Sequence, residues 1–337
     1  MGYSRLQLEQ ARVASNAIQL FEALEAHRGQ ARQVTGSMHW KHIAGRDYLY
    51  RGYSHGRNHS LGPRSPETEA LKASFDEKKA AYKAREASLK EQLQIHVAYV
   101  RANRLHRFPL PAARVIRALQ RNRVPFRIIG TNALYAYETR AGVLIEPEHL
   151  ATEDVDVLMD VRQGLRIATQ VKPEGLLALL QRADKTFQRF TDTAFTFCAV
   201  NSAGYRVDFI TQGLSSPQAM NDFERHLDMA DLTPVTITSL KWLVASPRFT
   251  AVVFDERGMP LRVDTVDPRA FVLHKWYVSR QPDRNPLNKH RDAAQARLLN
   301  SLLQHELTEL TTTRAVSRIF PAPIRQSARE SLDDFDV

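Results

Sequence analysis

The stretch that most restricts what this chain can become is residues 127–161, RIIGTNALYAYETRAGVLIEPEHLATEDVDVLMDV. It opens on an apolar run of strand character, turns at Gly130-Thr131, and continues with helical patterning. It ends on a second apolar run in which Asp154 and Asp156 alternate with Val155 and Val157. Side chains two apart on a strand share a face, so the carboxylates stand together about 7 Å apart while the valines enter the core opposite. Two like charges so placed repel. A divalent cation removes the repulsion, because Mg²⁺ takes carboxylate oxygens and keeps places open for substrate phosphates. The competing reading makes Asp154 and Asp156 edge-strand charges that block pairing with another chain; the apolar context DVDVLMDV weighs against it.

A third carboxylate, Asp208 in YRVDFIT, again stands between apolar neighbours on a strand-like run. Three carboxylates on adjacent strands suit a two-metal phosphoryl site. A salt bridge from Asp208 to Arg206 or Arg182 is the structural alternative. Gly130-Thr131, where a strand passes into a helix, adds a glycine that lets the backbone approach a phosphate, unpaired helix-start N–H groups, and a hydroxyl donor. Strand-Gly-helix turns are common by themselves; beside the acids this one outlines a nucleotide site.

From residue 126 onward strand and helix patterns alternate, with strands at 126–130, 154–161, 194–200 and 205–211 and helical signals at 131–140 and 173–184, so the core is of α/β type. Before it, residues 4–27 carry helical apolar spacing. Two aromatic runs around Ala44-Gly45 suggest a hairpin, and Ser65-Pro66 opens a helix of about ten turns at about 3.6 residues per turn. After it come a helix in TITSLKWLVAS, a hairpin in FTAVVFDERGMPLRVDT, a helix opened by Asp267-Pro268, and a last long helix over 288–309. The expected fold is therefore α+β with an α/β core: a mixed sheet flanked by helices. The expected parts are a helical and hairpin extension over 1–107, a core over 108–232, a C-terminal hairpin and helical region over 233–325 that closes the cleft, and a loose tail over 326–337.

The chain has 337 residues, 43% of them hydrophobic, enough to bury two or three packed units. No run of roughly eighteen apolar residues occurs and the N-terminal stretch lacks the apolar segment of a signal peptide, so a cytoplasmic protein without membrane contact is expected. The single cysteine, Cys198, excludes a disulfide framework and reads as a core thiol. The formal charge of +10 favours a polyanionic partner, with a merely solvated cationic surface as the alternative.

The order strand, Gly-Thr, helix, Asp-Val-Asp on the next strand, then a later Val-Asp-Phe resembles the nucleotidyltransferase fold of the DNA polymerase β superfamily. More narrowly, IIGTNALYAYE and TEDVDVLMD are similar to bacterial and phage stand-alone nucleotidyltransferase-like domains, distantly similar to the toxin components of abortive-infection systems. The resemblance covers about 110–300. It implies that Asp154 and Asp156 hold Mg²⁺ (or Mn²⁺), that Asp208 completes the metal site or activates the acceptor hydroxyl, and that Gly130, Thr131 and Asn132 bind the triphosphate. It further implies that Lys275, in PRAFVLHKWYV, neutralises triphosphate charge, with Lys289, Arg291 and Asp292 in KHRDAAQA as secondary candidates or a helix-surface ion pair. Thr131 and Asp154 stand further apart than is usual in the superfamily, which an inserted loop AGVLIEPEHLATE explains.

The implied reaction is metal-dependent transfer of a nucleoside monophosphate from an NTP to an acceptor. RNA, tRNA included, comes first as acceptor, then a protein hydroxyl, then a small molecule; a homo-oligomer or an inhibitory partner protein is compatible with the sequence. The alternatives are an idle fold serving as a nucleic-acid-binding or regulatory module, and a metal-dependent nuclease. Outside this constellation, His55 and His59 sit among Gly, Ser and Asn and read as surface loop residues. Tyr48, Tyr50 and Tyr53, interleaved with Arg46, Arg51 and Arg57, suit either nucleic-acid stacking or packing of a hairpin on the long helix. Trp242 and Trp276 fall on apolar helix faces.

Overall fold

The computed structural model describes all residues except 1, 54, 55, 57, 161–174, 191–196, 213–231, 233, 311–313, 333, 334, 336 and 337. His55 and Arg57 thus lie outside the described residues. The chain forms two compact units, Arg12–Asn103 and Met1–Ala11 with Arg104–Val337.

The smaller unit joins helix α1 (Leu8–Gly29) from Arg12 onward, an antiparallel sheet of β2 (Ser37–Ile43), β3 (Arg46–Gly52) and β4 (Asn58–Pro63), and helix α2 (Pro66–Ala102). The β2–β3 turn is tight because Ala44 and Gly45 both take positive φ, the geometry that matches the strand twist. Helix α2 starts as its sequence requires: Ser65 Oγ accepts from the Thr68 N–H at 3.3 Å, Thr68 Oγ1 accepts from the Ser65 N–H at 2.9 Å, and Pro66 occupies the first turn. Leu89 and Leu93 of α2 bury against Leu24 of α1, and Phe75 buries with Met38 and Leu49 of the sheet.

The larger unit is built on a mixed sheet in the order β5 (Arg127–Ile129), β7 (Asp154–Met159), β10 (Arg206–Thr211), β9 (Cys198–Val200) and β8 (Gln188–Arg189). The short β11 (Val235–Thr236) continues beside the end of β10. Strands β7 and β10 run parallel in register, while β5 and β9 are antiparallel to their neighbours. Helices α3 (Leu110–Arg121), α4 (Leu134–Ala141), α6 (Gly175–Ala183), α7 (Leu240–Ala245), α8 (Pro268–Ser279) and α9 (Pro286–His305) supply buried side chains to one continuous core with the sheet. The hairpin of β12 (Arg248–Phe254) and β13 (Pro260–Val266) joins it through Val253, Leu261 and Val263. This is the α+β arrangement of a mixed sheet flanked by helices. Among the described residues no helix is long and apolar enough to cross a membrane.

Three local expectations are corrected. Residues 4–27 are not one helix: Tyr3–Arg5 form a strand, β1, and only then does α1 begin. The insertion before Asp154 is not a loop. Gly142 ends α4 in the left-handed conformation, β6 (Val143–Ile145) pairs with β1 from Tyr3↔Ile145 to Arg5↔Val143, and Pro147–Leu150 form a one-turn helix, α5. The stretch read as the start of a loose tail is helical: α11 (Ala322–Ser331) follows the single turn α10 (Arg314–Ser317), and Ala328, Leu332 and Phe335 are buried. Trp276 donates its indole N–H to Ser327 Oγ at 3.1 Å, a tie that composition does not reveal.

Candidate active site

Alternation along β7 buries Val155 and Val157 and leaves Asp154 and Asp156 partly exposed on the other face; β10 repeats the pattern with Val207 and Phe209 inside and Arg206 and Asp208 outside. The parallel register sets Asp208 beside Asp156 and Arg206 beside Asp154. All three aspartates therefore occupy one face of the sheet. On the other side of β7, Ile129 of β5 pairs with Asp156, and the chain turns into a 3-10 segment at Gly130. Gly130 has φ +65°, and a Cβ built there would fall 2.1 Å from Asp156 Oδ2. Only glycine permits both the left-handed backbone and so near a carboxylate.

The three carboxylates differ in surroundings. Asp154 accepts a short hydrogen bond from the Thr152 hydroxyl. Asp208 Oδ1 is buried without a hydrogen-bond partner among the described residues; Arg206 Nη2 stays 3.7 Å away, an ion pair too long to hydrogen-bond. Asp156 is pushed up to about 7, first by burial and then by the charges of Asp154 and Asp208, against which Lys275 and Arg284 pull down. Burial and then Asp208 raise the Cys198 thiol to about 11, so Cys198, opposite Asp208 on β9, stays protonated. A face that crowds three carboxylates, one oxygen of them unpaired, is a donor set that hard divalent cations take. Among the described residues the carboxylate and imidazole atoms that lie within 4.8 Å of one another are those of Glu146, Glu148 and His149, of which both glutamates are exposed, whereas the three aspartates share a face without meeting at that distance.

Asp156 and Gly130 line a cavity of about 190 Å³. Its walls are apolar, from Ile129, Ile210, Leu240 and Phe271 among others, and Lys275, Arg284, His274 and Ser239 add polar groups. Lys275 is buried on α8 and donates to Asp292 Oδ1 at 2.7 Å, while Arg284 donates twice to Asp292 Oδ2, at 3.0 and 2.8 Å. Asp292, fully buried on α9, thus holds two cations at the cavity wall, and the surface ion pair expected of KHRDAAQA is instead an internal one. His274 sits 3.2 Å from Ser239 Oγ, and burial, then Lys275, lowers it to about 3, so it is neutral.

Thr131 and Asn132 are placed differently from Gly130. Both are buried: Thr131 Oγ1 accepts from Gln295 Nε2 at 3.2 Å, and Asn132 Nδ2 donates to the Asp154 carbonyl at 2.6 Å, where the Tyr205 hydroxyl also donates at 3.2 Å. Asn132 thus braces the strand that carries the acids, while Thr131 ties the turn to α9. Arg284, His274 and Ser239 were not singled out from the sequence, because nothing local to them marks a site. Asp292 carried a readable signal: it stands four residues before Ala296 and seven before Leu299, both fully buried, hence on the inner face of its helix.

No curated protein and no solved structure matches this chain. A nucleotidyltransferase family model matches residues 111–321, a span that contains all three aspartates, Gly130, the cavity and the Lys275–Asp292–Arg284 group. The chain belongs to this nucleotidyltransferase family.

Proposed function

We propose that the chain transfers a nucleoside monophosphate from an NTP to a hydroxyl of RNA, using a divalent cation held by Asp154, Asp156 and Asp208. The observation that carries this reading is the in-register pairing of β7 and β10, which sets three carboxylates on one sheet face, with Asp156 among them lining a cavity whose wall also carries two cations. The acceptor oxygen attacks the α-phosphorus, the bond from the α-phosphorus to the bridging oxygen breaks, and pyrophosphate leaves in line. A bound Mg²⁺ supplies neutralisation of phosphate charge and acidifies the attacking hydroxyl.

The chain's own residues do the rest. Gly130 lets the phosphates come close to the backbone beside Asp156. Lys275 and Arg284, pre-set by Asp292, offer positive charge to the departing pyrophosphate, and the apolar walls offer a seat for the base. Asp208, with an unpaired oxygen, takes the acceptor proton. The formal charge of +10 supports a polyanionic acceptor.

The test incubates the protein with Mg²⁺, total RNA and each NTP labelled at the α-phosphate, beside an Asp154→Ala/Asp156→Ala control. Label on RNA that the control loses is the expected result. Label on the protein moves the acceptor to a side-chain hydroxyl. RNA binding without label from any NTP leaves the idle binding module as the better account, and RNA cleavage in place of labelling identifies a nuclease.

A further inference from the structure

We infer that the outward face of the three-stranded sheet β2–β3–β4 is a docking surface for single-stranded RNA. The register separates two faces of this sheet. Met38, Trp40, Leu49 and Arg51 fall on the face toward α2, where Met38 and Leu49 bury with Phe75 and the Arg51 guanidinium lies 5.2 Å from the Phe75 ring centre. The pairs His39↔Tyr50 and Lys41↔Tyr48, together with Arg46, fall on the other face.

On that face the rings and cations form one ladder. His39 stacks on Tyr50 with centroids 6.5 Å apart and planes at 25°, and Lys41 Nζ sits 4.7 Å from the Tyr50 centroid. All four side chains of the two pairs are partly exposed and Arg46 is exposed. The face carries no carboxylate: the one acid between residues 37 and 64 is Asp47, which lies on the opposite face and is bound by His42 at 2.8 Å and Arg64 at 3.3 Å. The cations on the ladder face are Lys41 and Arg46. Aromatic side chains on a sheet with cations beside them and no acid are what unpaired bases and their phosphates require: every base has a face to stack, and the cations track the backbone. A duplex hides its bases and gains only the charge, so the surface selects single strands. Structure thereby sorts the tyrosine–arginine stretch: Tyr48 and Tyr50 belong to the ladder, whereas Arg51 turns inward.

The choice of RNA over DNA rests on the acceptor proposed above; the stacking surface itself does not. The test measures fluorescence anisotropy of labelled oligo(U), oligo(dT) and a duplex RNA against full-length protein, for wild type, Tyr48→Ala/Tyr50→Ala, Tyr48→Phe/Tyr50→Phe, Lys41→Gln and Asp154→Ala/Asp156→Ala, each checked for wild-type circular dichroism. The expected result is preference for oligo(U), a loss of roughly tenfold or more in the alanine pair, and retention in the phenylalanine pair. Lys41→Gln reduces the salt slope of binding by about 1. Unchanged oligo(U) binding in Asp154→Ala/Asp156→Ala, with transfer lost, separates this surface from the catalytic reading. Unchanged oligo(U) binding in the alanine pair overturns the inference, as does equal binding of duplex. Oligo(dT) bound as tightly as oligo(U) overturns the assignment to RNA. A concentration-dependent dimer that only the alanine pair loses, without RNA binding, assigns the face to a second copy instead.

Discussion

Gly130 and Asp156 are in such contact that a single methyl on Gly130 would fall 2.1 Å from the Asp156 carboxylate oxygen. Asp156 lies on β7 and Gly130 directly follows the antiparallel β5, whose pairing sets Ile129 opposite Asp156 and so turns the chain at Gly130 over the carboxylate.

Gly130→Ala meets two penalties at once, a left-handed backbone, about 1–2 kcal/mol for a residue with a Cβ, and displacement of the Asp156 carboxylate. The expected outcome is a lower melting temperature together with loss of nucleotidyl transfer larger than the stability change explains. Melting curves and single-turnover transfer on the same preparation check it; a variant that melts lower but transfers normally would show that Asp156 tolerates being moved.

Asp156, pushed up to about 7, holds its proton in the fold at pH values where the unfolded chain has released it. Between about pH 4 and 7 the native state therefore binds more protons than the unfolded state, so this group's contribution to stability is present at the acid end and declines as pH rises through that window. Glu138, raised to about 7 by burial, acts with the same sign; His274, lowered to about 3, acts with the opposite sign as pH falls below its ordinary range. Comparing wild type with Asp156→Asn isolates the first effect: without divalent ions the variant gains stability over wild type as pH rises from 5 to 8. At pH 8, Mg²⁺ raises the melting temperature of wild type and not of Asp156→Asn. Thermal melts across pH with and without Mg²⁺ read both differences.

Asp292→Ala leaves the buried Lys275 ammonium without its counter-charge, with the partly exposed Arg284 guanidinium also losing its partner, and stability falls by about 3–5 kcal/mol. Lys275→Met leaves Asp292 still paired with Arg284, so it costs less stability while it weakens transfer. Urea unfolding of both variants, with transfer measured alongside, checks the order; equal destabilisation by both would contradict Arg284 as a sufficient partner.

Asn132→Ala removes the donor to the Asp154 carbonyl from a buried site and costs about 1–3 kcal/mol. Because the amide braces the strand, the expected kinetic effect is a lower kcat with KM for the NTP within about threefold of wild type. A KM raised far beyond that, with kcat kept, would show that Asn132 contacts the triphosphate.

The alternation of Asp and Val in DVDVLMD and in RVDF was enough to place three acids on polar strand faces, because period-2 patterning is local and its core side is written in the valines. The capping of α2 by Ser65 and Pro66 and that of α8 by Asp267 and Pro268 were legible for the same reason: a cap and its helix lie within four residues. What the 127–161 stretch left open was the space between its glycine and its acids, where β6 exists only because Tyr3–Arg5 arrive to pair with it.

The sequence by itself therefore determined which residues carry charge on a strand, where helices begin, and that a strand-Gly-helix turn precedes the acids. Tertiary structure alone decided that β7 and β10 run parallel in register, that Asp292 pairs with both Lys275 and Arg284, and that Thr131 and Asn132 turn inward rather than toward the cavity. The physical reason is range. Propensity and periodicity act over one or two turns, whereas register and burial are set by contacts between segments far apart in the chain, whose energies no local pattern contains.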